Sequence, residues 1–404
     1  MLRSLTAAGI LLMAAAPVTA GEWRQFRGSD TTGVAQGTAP PTSWGEGSNI
    51  AWKQPLPGRG LSTPIIVAGR VFVTASSGFH QDRLHILCFD DKSGEQLWHR
   101  QFRALGRTGS HEKMSNATPT PASDGQRIFA FYSSNDVICL DLDGNLQWFR
   151  GLTYDHPNAS NSLGMSSSPV VVGETLVVQF ENDSESLATG LNVETGESRW
   201  TSPRPKRANW TSPVLLPGKS AAETLVLLQS SDGISAIEPS TGKEVWKYAD
   251  GASTIPSSVV HDGLVYVPSG PGITALRPPS DSASVEQLWR GEKLRPGTAS
   301  PTVFRNKLFV VNSAGVLLCG NLDDGKVEWQ TRVEGPFSAT PVAAGDNLYL
   351  INEHGLGQVV SLTGEKGEVI GKSDLGETIL CTPAVVDGAL YTRSDKHLWK
   401  IAAP

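Results

Sequence analysis

One unit of sequence recurs along most of the chain and leaves few architectures open. Its clearest copy runs Ala299-Ser300-Pro301-Thr302-Val303-Phe304-Arg305-Asn306-Lys307-Leu308-Phe309-Val310, then Gly315-Val316-Leu317-Leu318-Cys319, then Asp324-Gly325-Lys326-Val327-Glu328-Trp329. Pro301 opens an apolar run, and Arg305-Asn306 is a two-residue turn into a second run, the spacing of a β-hairpin. A third strand lies around Val316 to Cys319. Gly325 then supplies a residue able to take positive φ ahead of a fourth strand carrying Trp329. A lone sheet of this kind cannot bury both of its faces, so it requires neighbours of the same kind.

The chain provides them. A proline after a small residue marks a first strand at Pro64, Pro119, Pro169, Pro213, Pro301, Pro341 and Pro383, with Ser258 in that place in the fifth copy. Hairpin turns follow at Ala68-Gly69, Asp262-Gly263, Gly345-Asp346 and Asp387-Gly388. A closing tryptophan stands at Trp98, Trp148, Trp200, Trp246, Trp289 and Trp329, usually four residues after a glycine (Gly94, Gly144, Gly196, Gly242, Gly325). A period of roughly 40 to 50 residues with four strands per unit is the signature of a propeller. The seventh copy ends in Ile370 instead of tryptophan, and the eighth stops at Lys400-Ile401 without a fourth strand. Asn49-Ile50-Ala51-Trp52-Lys53 reads as the missing strand, and ring closure by it would remove an open sheet edge. The expected fold is all-β: an eight-bladed β-propeller of four-stranded antiparallel blades over residues 49–404, closed by an N-terminal strand. Trp52 and the six closing tryptophans are expected to fill the space between blades.

Residues 1–20 read as a signal peptide, with Arg3 ahead of an apolar core and Val18-Thr19-Ala20 as the cleavage site. Export to the periplasm or beyond is therefore expected. No later run approaches the roughly 20 apolar residues of a membrane span, and no cysteine follows the cleavage site to carry a lipid anchor. Removing Arg3 takes the net charge from −6 to −7, with 18% charged residues, which speaks against a nucleic-acid partner. Residues 21–48 read as an arm whose Trp23, Phe26 and Trp44 pack on the propeller's outer face, with partner docking as the alternative. Cys88 and Cys319 each stand ten residues before a closing tryptophan, Cys139 nine, and Ala236 holds the same slot in the fourth copy. Cys381 precedes Thr-Pro where other copies place Ala117, Ser167 or Ala339. All four are expected as buried free thiols in small-residue slots.

The pattern of Pro-Val-Val, hairpin and Thr241-Gly242-Lys243-Glu244-Val245-Trp246 resembles the PQQ-like β-propeller repeat. That superfamily includes quinoprotein alcohol dehydrogenases and BamB-type outer-membrane assembly factors, and the resemblance covers about residues 49 to 401. Trp23-Arg24-Gln25-Phe26-Arg27-Gly28 and the segment from His111 to Pro121 are similar to exported bacterial members. The dehydrogenases add adjacent cysteines under the quinone, a calcium site of Glu, Asn and Asp, and a catalytic Asp. This chain has no adjacent cysteines and no Cys-x-x-Cys-His haem motif.

Two functions are implied. One is a non-enzymatic exported scaffold that binds a protein or peptide at its rim, with no cofactor and no catalytic residue. The alternative is an oxidoreductase using PQQ with calcium, or a degenerate relative of one. Glu181-Asn182-Asp183-Ser184-Glu185 reads as a solvated hairpin tip, and the eight histidines fall singly, so no metal site is expected. The candidate partner-binding residues stand just before first strands: Arg59, Lys113 with Asn116, Arg207 with Asn209 and Trp210, and Arg295. There they would form a cationic funnel at one mouth of the channel, with Trp210 as an aromatic surface for a peptide or planar ligand. The competing reading, that they cap neighbouring carbonyls and carboxylates, stays open at this point.

Overall fold

The structure is a computed structural model that describes residues 21–159, 163–279 and 284–404. The expected signal peptide lies outside these residues. Eight antiparallel sheets form a ring, and each blade runs from a short inner strand to an exposed outer one. Blade one is Ile65–Val67, Arg70–Ser77, Arg83–Asp90 and Gln96–Arg103. Blade eight is Ala384–Val386, Ala389–Arg393 and His397–Ile401, completed by Ile50–Pro55, in which Ile50 pairs with Ile401 and Pro55 with His397. The closing strand is thus as expected. So are the hairpins: Ala68 and Gly69 take φ of 50° and 71°, and Arg305 and Asn306 take 51° and 55°, the left-handed pair a two-residue turn needs. In blade two the inner strand is Ala122–Ser123, so the marker proline is Pro121 and not Pro119. The doubled Thr118-Pro119-Thr120-Pro121 shifts the alignment by two residues, and Pro119, not Ala117, holds the place of Cys381.

Consecutive blades are joined on their outer side by tryptophan and glycine. The indole of Trp148 donates to Val193 O at 3.0 Å in the next blade, and Trp52, Trp98, Trp200 and Trp289 donate in the same way to Asp91, Leu142, Pro239 and Leu322. Each ring lies on the next blade's turn glycine, so a Cβ at Gly196 would stand 2.7 Å from the Trp148 ring. The glycine four residues before each tryptophan therefore serves the preceding blade's tryptophan. Opposite each indole, across the same sheet, sits a small residue: Cys88 faces Trp98, Cys139 faces Trp148, Ala236 faces Trp246 and Cys319 faces Trp329. All four cysteines are free and buried. Burial pushes the Cys88 and Cys319 thiols up to about 12. In blade seven the residue in register with the small slot is Gly371, opposite Val359, while Ile370 is exposed. The arm compensates there, with Thr42 against Gly371 and buried Trp44 against Gly357.

A second belt joins the blades near the axis. The backbone N–H of Thr63 donates to Thr120 Oγ1 at 3.0 Å, that of Thr120 to Ser168 Oγ at 3.0 Å, and that of Ser168 to Ser212 Oγ at 3.0 Å. Ser212, Ser257, Ser300 and Thr340 continue to Thr382, and Thr63 Oγ1 closes the circle on Thr382 O at 2.8 Å. These are the residues before the marker prolines.

The arm does not lie on the outer face; it crosses the axis. Trp23 exchanges backbone bonds with Ile66 of blade one, Arg24 O accepts from Ser123 of blade two, and Gln25 Oε1 accepts from Val171 N of blade three. Thr31 Oγ1 accepts from Leu215 N of blade four, buried Arg27 donates to Ser258 O, and Val34–Ala35 adds a parallel strand to blade seven. Inner strand edges carry unpaired backbone groups, and only a chain on the axis can satisfy those of several blades at once. Burial lowers the Arg27 pKa to about 10. The arm then leaves between blades seven and eight, where Tyr349 Oη donates to Pro40 O at 2.6 Å, and reaches Ile50.

Two stability experiments follow from this packing. Gly196→Ala should cost roughly 2 kcal/mol or more, combining positive φ with the clash, and much less in a Trp148→Ala background, where only the φ strain of ~1 kcal/mol remains. Equal costs in the two backgrounds, read from denaturant melts, would show that the glycine does not serve the indole. Trp23→Ala should cost ~3–5 kcal/mol, as truncation of a buried aromatic does, and a change below about 1 kcal/mol in the same melts would contradict its burial.

Candidate functional site

Within each blade the inner strand and the residues leading into it alternate between facing the axis and facing away. Two stacked rings result. The deeper ring is the hydroxyl belt, of which Thr120, Ser168, Ser212, Ser257, Ser300, Thr340 and Thr382 line an axial cavity of about 370 Å³. The upper ring stands two residues earlier in each blade and lines the same cavity. Leu61 and Leu380 occupy it on blades one and eight, and Trp210 and Ile255 on blades four and five, directly across the axis. Hydroxyls hold the remaining positions: Thr118 and Ser166 on one side, Thr298 and Ser338 on the other. Phe26 of the arm also lines the cavity, and the arm bonds to the inner strands three residues below the belt, so the channel is a cup with an aromatic floor.

Of the sequence candidates, Lys113 and Trp210 line this cup. Lys113 Nζ pairs with Glu353 Oε2 at 2.8 Å, and the Trp210 indole donates to Gly164 O at 2.9 Å. Arg59 lines a polar side chamber of about 340 Å³ that shares Leu61, Lys113, Glu353 and Leu380 with the cup. Its guanidinium pairs with Asp395 at 3.0 Å and donates to Glu112 O at 2.8 Å. Asn116 and Asn209 are buried loop pins: Asn116 receives Ser134 N–H and donates to Gln81 O, and Asn209 donates to Gln229 O. Arg207 and Arg295 line neither cavity, and Arg295 Nε donates to Glu292 O. Arg59 and Lys113 therefore come together beside Glu353 and Asp395, and the other two cations do not join them. The sequence reading missed the two rings. The alternation of Leu61 with Thr63, Trp210 with Ser212 and Leu380 with Thr382 was the available signal.

The lip of the cup is tied down by one buried acid. Asp136, at the start of a blade-two strand, is buried; its Oδ2 accepts from Ser134 Oγ at 2.6 Å and from Leu105 N at 3.0 Å, and its Oδ1 has no hydrogen-bond partner of good geometry among the described residues. Leu105 opens the connection that carries Lys113 and Met114 to the cup. Burial raises the Asp136 pKa to about 6, against the lowering effect of those bonds. The folded protein therefore holds this proton more tightly than the unfolded chain, so the contribution of Asp136 to stability is greatest below about pH 4 and falls as the pH rises through about 6. The loss amounts to about 3 kcal/mol at ~1.4 kcal/mol per pKa unit. Asp136→Asn should remove that component of the pH dependence. Parallel stability curves for the two proteins between pH 4 and 6.5 would contradict it.

The family model described as outer membrane protein assembly factor BamB matches residues 16–202, 162–277 and 273–370. BamB of Shewanella oneidensis is 23% identical over 393 residues, covering 95% of this chain and 83% of the relative. BamB of Legionella pneumophila is 24% identical over 191 residues, covering 44% of this chain and 47% of the relative. Against the Legionella, Moranella and Alkalilimnicola proteins the match spans 47%, 58% and 49% of the relative, about half its length. Among solved structures, BamB from Moraxella catarrhalis superposes with a TM-score of 0.62 at 17% identity, covering 87% of this chain and 96% of that one. A europium-containing methanol dehydrogenase gives 0.72 at 13% identity, covering 95% and 98%. At these identities the structural likeness is one of fold. With the family model matched across most of the ring, the chain belongs to the outer membrane protein assembly factor BamB family of PQQ-like propellers.

Proposed function

We propose that this chain is an exported, non-enzymatic scaffold of the BamB kind, working on the periplasmic side of the envelope, that docks a protein partner on the face bearing the cup. The supporting observation is where its exposed apolar side chains lie. In every blade the turn between the second and third strands and the connection to the next blade share one end of the ring. Phe79, 97% exposed, occupies such a turn, and Tyr154, 77% exposed, follows the outer strand of blade two. Leu105, Leu163 and Ile255, all exposed, stand in connections on the same face. The other large exposed apolar residues, Leu97, Leu146, Val245 and Ile370, are spread singly over four outer strands. Apolar groups gathered on one face of a propeller mark an interaction surface. No helix among the described residues is long and apolar enough to cross a membrane.

The quinone alternative has less support in the donor set. Calcium takes six to eight oxygens, usually with several carboxylates, and among the described residues the cup is lined by one carboxylate, Glu353, already engaged by Lys113 and Ser338. The four cysteines sit singly in separate blades.

Replacing Phe79 and Tyr154 together with serine should leave the melting temperature within about a degree, since exposed side chains contribute little to the fold. It should abolish capture of the partner from an envelope extract. Undiminished capture by the double variant would argue against docking on this face.

A further inference from the structure

The two rings differ in what they offer a ligand. In the upper ring three hydroxyl protons are already committed to the protein: Thr118 donates to Ser115 O at 2.8 Å, Ser166 to Trp210 O at 2.9 Å and Ser338 to Glu353 Oε1 at 2.8 Å. Those oxygens remain as acceptors. In the belt the opposite holds. Seven hydroxyl oxygens already accept an N–H from the neighbouring blade, and none of them donates a hydrogen bond among the described residues. The belt residues are more than nine-tenths buried and line the cup. Their protons are uncommitted and free to rotate toward the cavity they line, where an acceptor-rich group would be met from several blades at once.

The cross-section is equally specific. Leu61 with Leu380 forms one apolar pad, Trp210 with Ile255 forms a second pad across the axis, and hydroxyl pairs fill the two remaining quadrants. An extended peptide has this section: side chains project alternately to two opposite faces, and backbone N–H and C=O project to the two edges between them. The belt lies two residues below the upper ring and the arm three residues below the belt, roughly 7 and 10 Å at ~3.3 Å per residue. Phe26 takes up part of the lower interval, which leaves room for a chain end of about three residues. A closed floor admits an end and not a through-running chain.

From these features the geometry points to the cup as a receptor for the C-terminal end of a partner polypeptide. The terminal carboxylate sits within the belt, the last apolar side chains lie on the two pads, and backbone N–H groups donate to the upper hydroxyls. The direction follows from the protons: a carboxylate gives the seven uncommitted hydroxyl protons an acceptor, whereas a terminal ammonium could use only the remaining lone pair of each oxygen and would leave those protons without one. Lys113 and Glu353 at the lip pair with each other and leave the entrance without net charge. This inference rests on the scaffold reading and names the part of the partner that enters.

The test uses the full mature protein and a fluorescein-labelled hexapeptide with a polar N-terminal half and three apolar residues ending in a free carboxylate. Anisotropy titration should show saturable binding of the free acid and at least tenfold weaker binding of the C-terminal amide. Ile255→Glu, a change at an exposed lip position, should weaken the acid at least tenfold with the melting temperature unchanged. The Phe79 and Tyr154 double variant, whose side chains do not line the cup, should bind the peptide as the wild type does. Equal binding of acid and amide overturns the inference. So does absence of binding at millimolar peptide, or competition by 2-naphthoate as strong as by the unlabelled peptide, which would mark a small-molecule site. A wild-type protein that captures its envelope partner but ignores the acid overturns this inference alone and leaves the scaffold reading standing.

Discussion

Everything near the axis depends on one repeated hydrogen bond, from the backbone N–H that precedes each inner strand to the serine or threonine hydroxyl of the next blade. That N–H is buried and the following residue is usually proline, which has no donor of its own, so the hydroxyl across the blade boundary is the available acceptor. Using it seven times, with Thr63 Oγ1 donating to Thr382 O at the eighth boundary, fixes the inner radius of the ring. The tryptophan and turn-glycine contacts hold the same boundaries near the outside, and small residues opposite each indole let the ring enter the sheet. Two concentric belts leave adjacent blades little freedom to tilt. The inner belt also decides the chemistry of the cavity, since each oxygen that accepts from a neighbour keeps its own proton uncommitted beside the axial cavity.

The ring was legible in the sequence because each blade writes it in local chemistry. Turns such as Asp387-Gly388 demand positive φ, prolines confine the inner strand, and the Thr-Gly-x-x-x-Trp spacing places an indole at a boundary. What failed were the places where this local grammar is doubled or supplied from elsewhere. Thr118-Pro119-Thr120-Pro121 offers two equally good markers, and only pairing of Ala122 with Phe129 chooses between them. Blade seven has no tryptophan at its outer boundary because Trp44 comes in from the arm. The arm itself has no periodicity, and nothing in Trp23 to Gly28 distinguishes cover on the outside from cover on the axis. The site was only half visible for a related reason: charge draws attention to Arg207 and Arg295, whereas the cup is built from uncharged residues at period two.

The likeness to a methanol dehydrogenase shows how little of a propeller's function its ring determines. The two folds superpose over 95% of this chain, yet the axial cavity here is furnished, among the described residues, with hydroxyls, aliphatic side chains and a single paired carboxylate. The quinone reading asks for ligands to an ion and support for a cofactor, and the one carboxylate that lines the cup among the described residues is why the scaffold reading is the one proposed. A receptor for a chain end needs shape, apolar pads and directed hydrogen bonds, which these residue types offer. The exposed apolar residues on that same face extend the contact area beyond the cup, as a protein partner would require.

One continuous stretch, from Trp23 to Pro55, makes both the floor of the cup and the strand that closes the ring. Trp23 and Gln25 bond to blades one and three, Val34 and Ala35 pair with blade seven, and Ile50–Pro55 completes blade eight. The open ring therefore lacks its floor as well as its outer strand, and the cup exists only once the N-terminal segment has crossed the axis and docked. A ligand that binds the finished cup binds the closed state alone, so by mass action it stabilises ring closure as well as its own complex. Placing Phe26 under the belt makes occupancy of the site and integrity of the fold two readings of the same equilibrium.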